Sequence, residues 1–158
     1  MSAVGLLLAA GQSRRFGPDD KLLADLGGRP LVTHAATALA RAGCDKLVVV
    51  TANPTVAEVV TGFETVELGG ADQGQSASLR AGVWRASEQG AKHVLVALGD
   101  MPFVTPETFG RTLALGQRHG VAMATDGAHR MPPICFGHNM FSGILDITGD
   151  QGARGLPS

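Results

Sequence analysis

The sequence predicts an α/β fold, a three-layer α/β/α sandwich around a mostly parallel sheet. Three observations carry this. Apolar runs at Val4 to Leu8, Lys46 to Thr51 and His93 to Leu98 are continuous enough to be strands covered on both faces. Stretches with helical spacing lie between them, so strands alternate with helices through most of the chain. Gly, at 22 of 158 residues, is about twice its usual share. Set between apolar runs, that glycine points to tight loops rather than disorder.

The first strand, Val4 to Leu8, runs into LAAGQSRRFGPDDK at Leu8 to Lys21. The turn-like Gly27–Gly28 comes next. Leu31 to Ala42 places Leu31, Ala35, Ala38, Leu39 and Ala42 on one helical face, with Gly43 as its stop. Lys46 to Thr51 (KLVVVT) is the second strand. Asn53–Pro54 suits the start of a short helix over Val56 to Val60, and Thr65 to Leu68 is a third strand. After the loop Gly69 to Gln75 (GGADQGQ), Ser76 is placed to cap a helix whose face is Leu79, Gly82, Val83 and Ala86. Trp84 lies off that stripe. His93 to Leu98 is the central strand. Thr105–Pro106–Glu107 opens a helix that runs to about His119, where Gly120 ends it. Val121 to Thr125 and Pro133 to Phe136 are further strands, and Asn139 is placed to cap a last helix burying Phe141, Ile144 and Leu145.

A chain of 158 residues is expected to be one domain, here 1–158. Its net charge of −1 gives no global attraction for nucleic acid, so anion binding must come from a local cluster. Cys44 and Cys135 form no metal-spaced pair and read as packed, reduced thiols, which suits a cytoplasmic protein. No apolar run approaches the roughly 20 residues that span a bilayer. Residues 4–10 are too short for a signal peptide, and the basic pair Arg14–Arg15 follows them instead of preceding them. No membrane partner is expected.

The local cluster is the loop after the first strand. Gly11 and Gly17 let the backbone bend where a side chain would block it. Successive N–H groups in such a turn can hold an anion, and Arg14, Arg15 and Lys21 add positive charge. A strand, a Gly-rich basic loop and a helix is how open α/β sheets present a nucleotide. The loop has neither the G-x-G-x-x-G nor the G-K-S/T pattern, and a merely solubilising surface turn is the alternative.

Asp100, in LGDMP, emerges at the end of the central strand. It can hold Mg²⁺, which prefers oxygen ligands, or it can be a turn Asp before Met101–Pro102. Arg80, one turn beyond Ser76, reaches either a phosphate or a surface partner. Asp19 and Asp20 read as solvated charges, and His34, His93 and His119 as structural or exposed. His129 and Arg130 precede Met131–Pro132–Pro133 and can meet an anionic acceptor. Asp150 to Arg154 (DQGAR) sets an acid and a base in a third Gly-rich element. No Ser/His/Asp or Cys/His arrangement is visible, which disfavours a covalent intermediate.

Taken together, LAAGQSRRFGPDDKLL (Leu8 to Leu23), GQSASLRAG (Gly74 to Gly82), LGDMPFV (Leu98 to Val104), PPICF (Pro132 to Phe136) and GDQGARGL (Gly149 to Leu156) resemble the MobA-like nucleotidyltransferases. Within them the closest resemblance is to the molybdenum cofactor cytidylyltransferases. It implies a Rossmann-like sheet of the nucleotide-diphospho-sugar transferase type. It also implies transfer of CMP from CTP to the terminal phosphate of molybdopterin. Residue by residue, it assigns the nucleotide to Ala9, Ala10, Gly11, Gln12, Ser13, Arg14, Arg15 and Lys21, and to Gly69, Gly70 and Ser76. Arg15, Lys21 and Asp100 would be catalytic, with Mg²⁺ on Asp100. His129, Arg130, Asp150 and Arg154 would face the acceptor. Ala10 makes the first motif LAAG, as in the cytidylyltransferases; the guanylyltransferases tend to have LAGG. A phosphorylated pterin-type acceptor and a molybdoenzyme or its chaperone are the implied partners. Members of the family usually continue past GDQGAR with another strand, a helix and an acidic motif. This sequence stops at Ser158, which leaves a second metal ligand, part of the acceptor pocket and one sheet edge unaccounted for.

Overall fold

The computed structural model describes residues 2–9, 21–68, 75–125 and 130–146, with the backbone alone described at Gln75 and Arg130. The elements are β1 (Ala3–Leu8), β2 (Asp25–Leu26), β3 (Arg29–Pro30), α1 (Leu31–Ala40), β4 (Lys46–Thr51), α2 (Pro54–Val59), β5 (Glu64–Glu67), α3 (Gln75–Glu88), β6 (His93–Leu98), α4 (Pro106–His119), β7 (Val121–Thr125), β8 (Arg130–Gly137) and α5 (Phe141–Leu145).

The six-stranded sheet has the order β5-β4-β1-β6-β8-β7. Five strands run the same way and β8 runs against both its neighbours. The chain builds outward from β1 through β4 to β5, then returns to place β6 on the other side of β1. That reversal is the topological switch point at which open α/β sheets bind ligands. β2 and β3 form a separate hairpin over Gly27 and Gly28, whose φ values of 64° and 90° are open to glycine at little cost.

Strand side chains alternate between two core layers. Ala3, Leu7, Val49, Leu95, Ala97 and Cys135 join α1, α2 and α4 through Leu39, Val56 and Phe109. Val4, Leu6, Leu8, Val48, Val50, Val94, Val96, Ile134 and Phe136 join α3 and α5 through Leu79, Val83, Phe141 and Ile144. The sandwich expected from the sequence is therefore present. α3 sits so close to β1 that a Cβ at Gly82 would lie 2.4 Å from Leu6 Cδ1.

Several local expectations need correction. α1 ends at Ala40, two residues early, and buries Val32, Ala35, Ala36, Ala38 and Leu39 rather than Leu31 and Ala42. Ser76 lies inside α3 rather than ahead of it, and is 3% exposed. Asn139 does not cap α5; it sits in a 3-10 turn (His138–Met140), and the capping residue, Met140, makes no side-chain cap bond. Leu145 is half-buried. The two predicted caps that do form are Asn53, accepting from Thr55 N–H at 2.9 Å, and Thr105, accepting from Thr108 N–H at 3.1 Å.

Candidate active site

The site is built on the seam between β1 and β6. Leu8 pairs with Val50 on one side and Leu98 on the other. The ladder continues one residue further: Ala9 N–H donates to Val50 C=O at 2.8 Å, and Gly99 N–H donates to Leu8 C=O at 2.9 Å. A Cβ at Gly99 would lie 3.1 Å from Val32 Cγ2 and 3.3 Å from the Leu8 carbonyl oxygen. The absence of that atom lets the β6 chain end flat against β1 and the first turn of α1. Asp100 comes immediately after. Met101 N–H returns to Leu98 C=O at 3.1 Å, so the backbone itself closes the turn that carries Asp100.

This bears on the two readings of Asp100. A turn Asp ordinarily accepts a hydrogen bond from its own turn. Among the described residues the exposed Asp100 carboxylate has no hydrogen-bond or ion-pair partner. Its backbone is fixed by the turn, and its carboxylate is exposed.

Lys21 opens a 3-10 turn (Lys21–Leu23) anchored by Leu22, which is 5% exposed. The turn adjoins α1, because Leu31 N–H donates to Ala24 C=O at 2.8 Å. Since Val32 of the same turn of α1 backs Gly99, Lys21 and Asp100 are brought to one edge of the sheet. Lys21 is exposed and has no side-chain partner among the described residues. The β2–β3 hairpin beside it is fastened by His34. Its Nε2 lies 2.7 Å from Leu26 C=O, and its Nδ1 lies 3.2 Å from the Arg29 guanidinium. His34 is structural, as expected.

The antiparallel β8 delivers its beginning, not its end, to the same edge. Arg130 pairs with Thr125 there, so β7 ends and β8 begins at the edge that carries Asp100. The β6–β8 ladder stops at Val96 and Ile134. The proline pair Pro132–Pro133 occupies a register shift between Met123 and Ala124, where missing N–H groups are tolerated. Ala97 and Leu98 consequently have no ladder partner on β8.

Ala9 is 2% exposed, and its N–H is taken by Val50 C=O. Ser76 is in the first turn of α3 and Arg80, half-buried, is one turn on. Ala10, Gly11, Gln12, Ser13, Arg14, Arg15, Gly69, Gly70, His129, Asp150 and Arg154 lie outside the described residues, as do Asp19 and Asp20. Among the described residues no group of three or more His, Cys, Asp or Glu gathers as a metal cage, and no helix is long and apolar enough to cross a membrane. Burial pushes Cys44 up to about 11, with help from Asp45, and Cys135 up to about 12. Neither thiol is a nucleophile near neutral pH.

A family model for the MobA-like NTP transferase domain matches residues 5–157. The probable molybdenum cofactor guanylyltransferase of Pyrococcus horikoshii is 35% identical over 109 residues, covering 68% of this chain and 53% of that protein. The chain thus spans about half the length of that relative. The molybdenum cofactor guanylyltransferase of Cereibacter sphaeroides is 33% identical over 135 residues, 85% of this chain and 68% of that one. Among solved structures, Rv0371c from Mycobacterium tuberculosis H37Rv superposes with a TM-score of 0.85 at 25% identity, over 98% of this chain and 80% of that one. The same protein has also been solved in complex with manganese; that structure superposes with a TM-score of 0.82 at 23% identity, with the same coverage. A model that spans nearly the whole chain agrees with the mostly parallel sheet and its switch point at β1 and β6: the chain belongs to the MobA-like NTP transferase domain family.

Proposed function

We propose that this chain transfers the nucleotidyl group of a nucleoside triphosphate to the terminal phosphate of a molybdopterin-type acceptor, releasing pyrophosphate. The observation that carries it is Asp100: an exposed carboxylate, without a partner among the described residues, one residue from the ladder between Gly99 and Leu8 at the end of β1. Curated relatives named as molybdenum cofactor guanylyltransferases support the acceptor class.

A single carboxylate fits Mg²⁺, which binds through one or two carboxylates plus substrate phosphates and keeps several waters. When bound, a divalent ion neutralises phosphate charge and polarises the reacting phosphorus. Lys21 and Arg15 stabilise the charge that builds on the departing pyrophosphate. The attacking phosphate is already largely dianionic near neutral pH, since its second pKa is about 6. No general base is required, and catalysis is mostly positioning and charge stabilisation. His129, Arg130, Asp150 and Arg154 remain the candidates for holding the acceptor.

Ala10 favours CTP as the donor. GTP is the second reading, favoured by the guanylyltransferase names of the relatives. The test is pyrophosphate release from each of the four common triphosphates, with Mg²⁺ and a molybdopterin acceptor. Release with one triphosphate that depends on the acceptor is expected. No release above the acceptor-free background with any of the four would overturn the reading, and preference for GTP would overturn CTP alone.

A further inference from the structure

Resting on the nucleotidyl-transfer reading, we infer that Phe103 is a stacking platform for a planar heteroaromatic ring of the acceptor, and that it selects acceptors carrying such a ring. Phe103 is 81% exposed, against 57% for Trp84 and 39% for Leu115, the other exposed large apolar side chains among the described residues. Its exposure does not come from a loose end. Gly99 is buried behind it, Met101 N–H closes the Leu98 turn, and Val104 packs on the core layer that holds α1 and α4. Thr105 then caps α4, accepting from Thr108 N–H at 3.1 Å. The loop is thus pinned on both sides of Phe103, which belongs to neither core layer.

Its position tells donor from acceptor. β6 has β1, which precedes the proposed triphosphate motif in sequence, on one side and β8 on the other. The loop carrying Phe103 leads into α4, which packs on β8 and β7. This is the side on which the β6–β8 ladder stops at Val96 and Ile134. Phe103 also lies three residues beyond Asp100, so a ring on its face would lie beside the phosphates. A phenyl ring has no hydrogen-bonding group; it reads the flat π-face of a partner, not its edge pattern.

The test compares wild type with Phe103→Ala and Phe103→Trp. The probes are 6-hydroxymethylpterin monophosphate, followed by its fluorescence; glycerol 3-phosphate, which has the phosphate but no ring; and CTP or GTP with Mg²⁺, by calorimetry. Phe103→Ala should weaken the pterin phosphate about tenfold or more, the scale of one lost stacking contact. Phe103→Trp should retain the affinity. Glycerol 3-phosphate and nucleotide binding should be unchanged in both. Because the side chain is exposed, the melting temperature should hold. Equal pterin affinity in wild type and Phe103→Ala overturns the platform. So does a loss that falls on nucleotide instead, or a wild-type dimer that Phe103→Ala dissolves, which would make Phe103 an interface residue. Absence of nucleotide binding in the wild type would instead defeat the nucleotidyl-transfer reading, so the two failures are distinct.

Discussion

Replacing Asp100 by Asn tests the proposed metal site most directly. Asn keeps the shape and one oxygen ligand but removes the charge. Because Asp100 is exposed and unpartnered among the described residues, stability should stay within about 0.5 kcal/mol of wild type, as at other surface sites. The effect on the ion is larger. One charge beside a divalent ion about 4 Å away is worth about 2 kcal/mol even at the dielectric of water, twice the value for two unit charges. The exposure of Asp100 makes that high-dielectric figure the appropriate one. It corresponds to roughly a 30-fold weaker apparent Mg²⁺ affinity in the nucleotide complex. Titrating Mg²⁺ against pyrophosphate release at fixed nucleotide measures it: the half-saturating concentration should rise by that factor, while thermal unfolding without nucleotide is unchanged. An Asn variant with the wild-type Mg²⁺ dependence would refute the reasoning and leave Asp100 as a turn residue. Asp150 would be the next candidate.

Lys21→Ala should lower turnover tenfold or more with an unchanged melting temperature, since Lys21 is exposed and the turn is anchored by Leu22; normal turnover would remove it from the phosphate site. Gly116→Ala should destabilise by about 1–3 kcal/mol, because its new Cβ would lie 2.5 Å from Cys135 Cβ and 3.2 Å from Cys135 O, atoms that no rotamer change can move; Gly143→Ala, with nothing within 4 Å, should not, and chemical denaturation of the pair checks this. His93 gives a pH test. Burial, and then the nearby His138, hold its pKa below the ordinary 6.5, and its Nδ1 is buried without a partner among the described residues. The unfolded chain therefore binds this proton more readily, so stability is constant above about pH 7 and is lost as pH falls through 6.5 towards the lower folded value. In denaturant titrations across pH 5 to 8, His93→Gln should flatten that fall; an identical slope would clear His93.

The strands legible in the sequence are those whose burial leaves a continuous apolar run. β1, β4 and β6 are covered on both faces, so their sequences need no tertiary information to be recognised. Helix boundaries are readable where a side chain makes the cap, as at Asn53 and Thr105. They mislead where a residue of capping type is buried for another reason, as at Ser76, which is 3% exposed within α3. The direction of β8 is a different matter. A parallel return needs a crossover of a dozen or more residues, and β7 and β8 are joined by residues 126–129 alone. The signal is present in the short spacing even with β8 taken to begin at Pro133, since the connection is then residues 126–132, still too short for a crossover.

For the candidate site, strand direction decides which end of each element matters. Parallel β1 and β6 present the residues beyond their carboxyl ends, so the basic loop and Asp100 can be placed together from sequence. Antiparallel β8 presents its first residue, which brings Arg130 to that edge. By the same logic, the residues after β8 fall on the opposite edge. His138 N–H donates to Lys92 C=O there at 2.8 Å, beside His93 at the start of β6. His93 thus lies a full strand length from Asp100. His93→Gln should therefore alter the pH dependence of stability and leave the pH dependence of turnover, measured where both forms are folded, as it was. The exposure of Phe103 escapes any such reading. Composition and spacing make it one more apolar residue before a helix; only the packing of Gly99 and Val104 on either side shows that it is held out of the core.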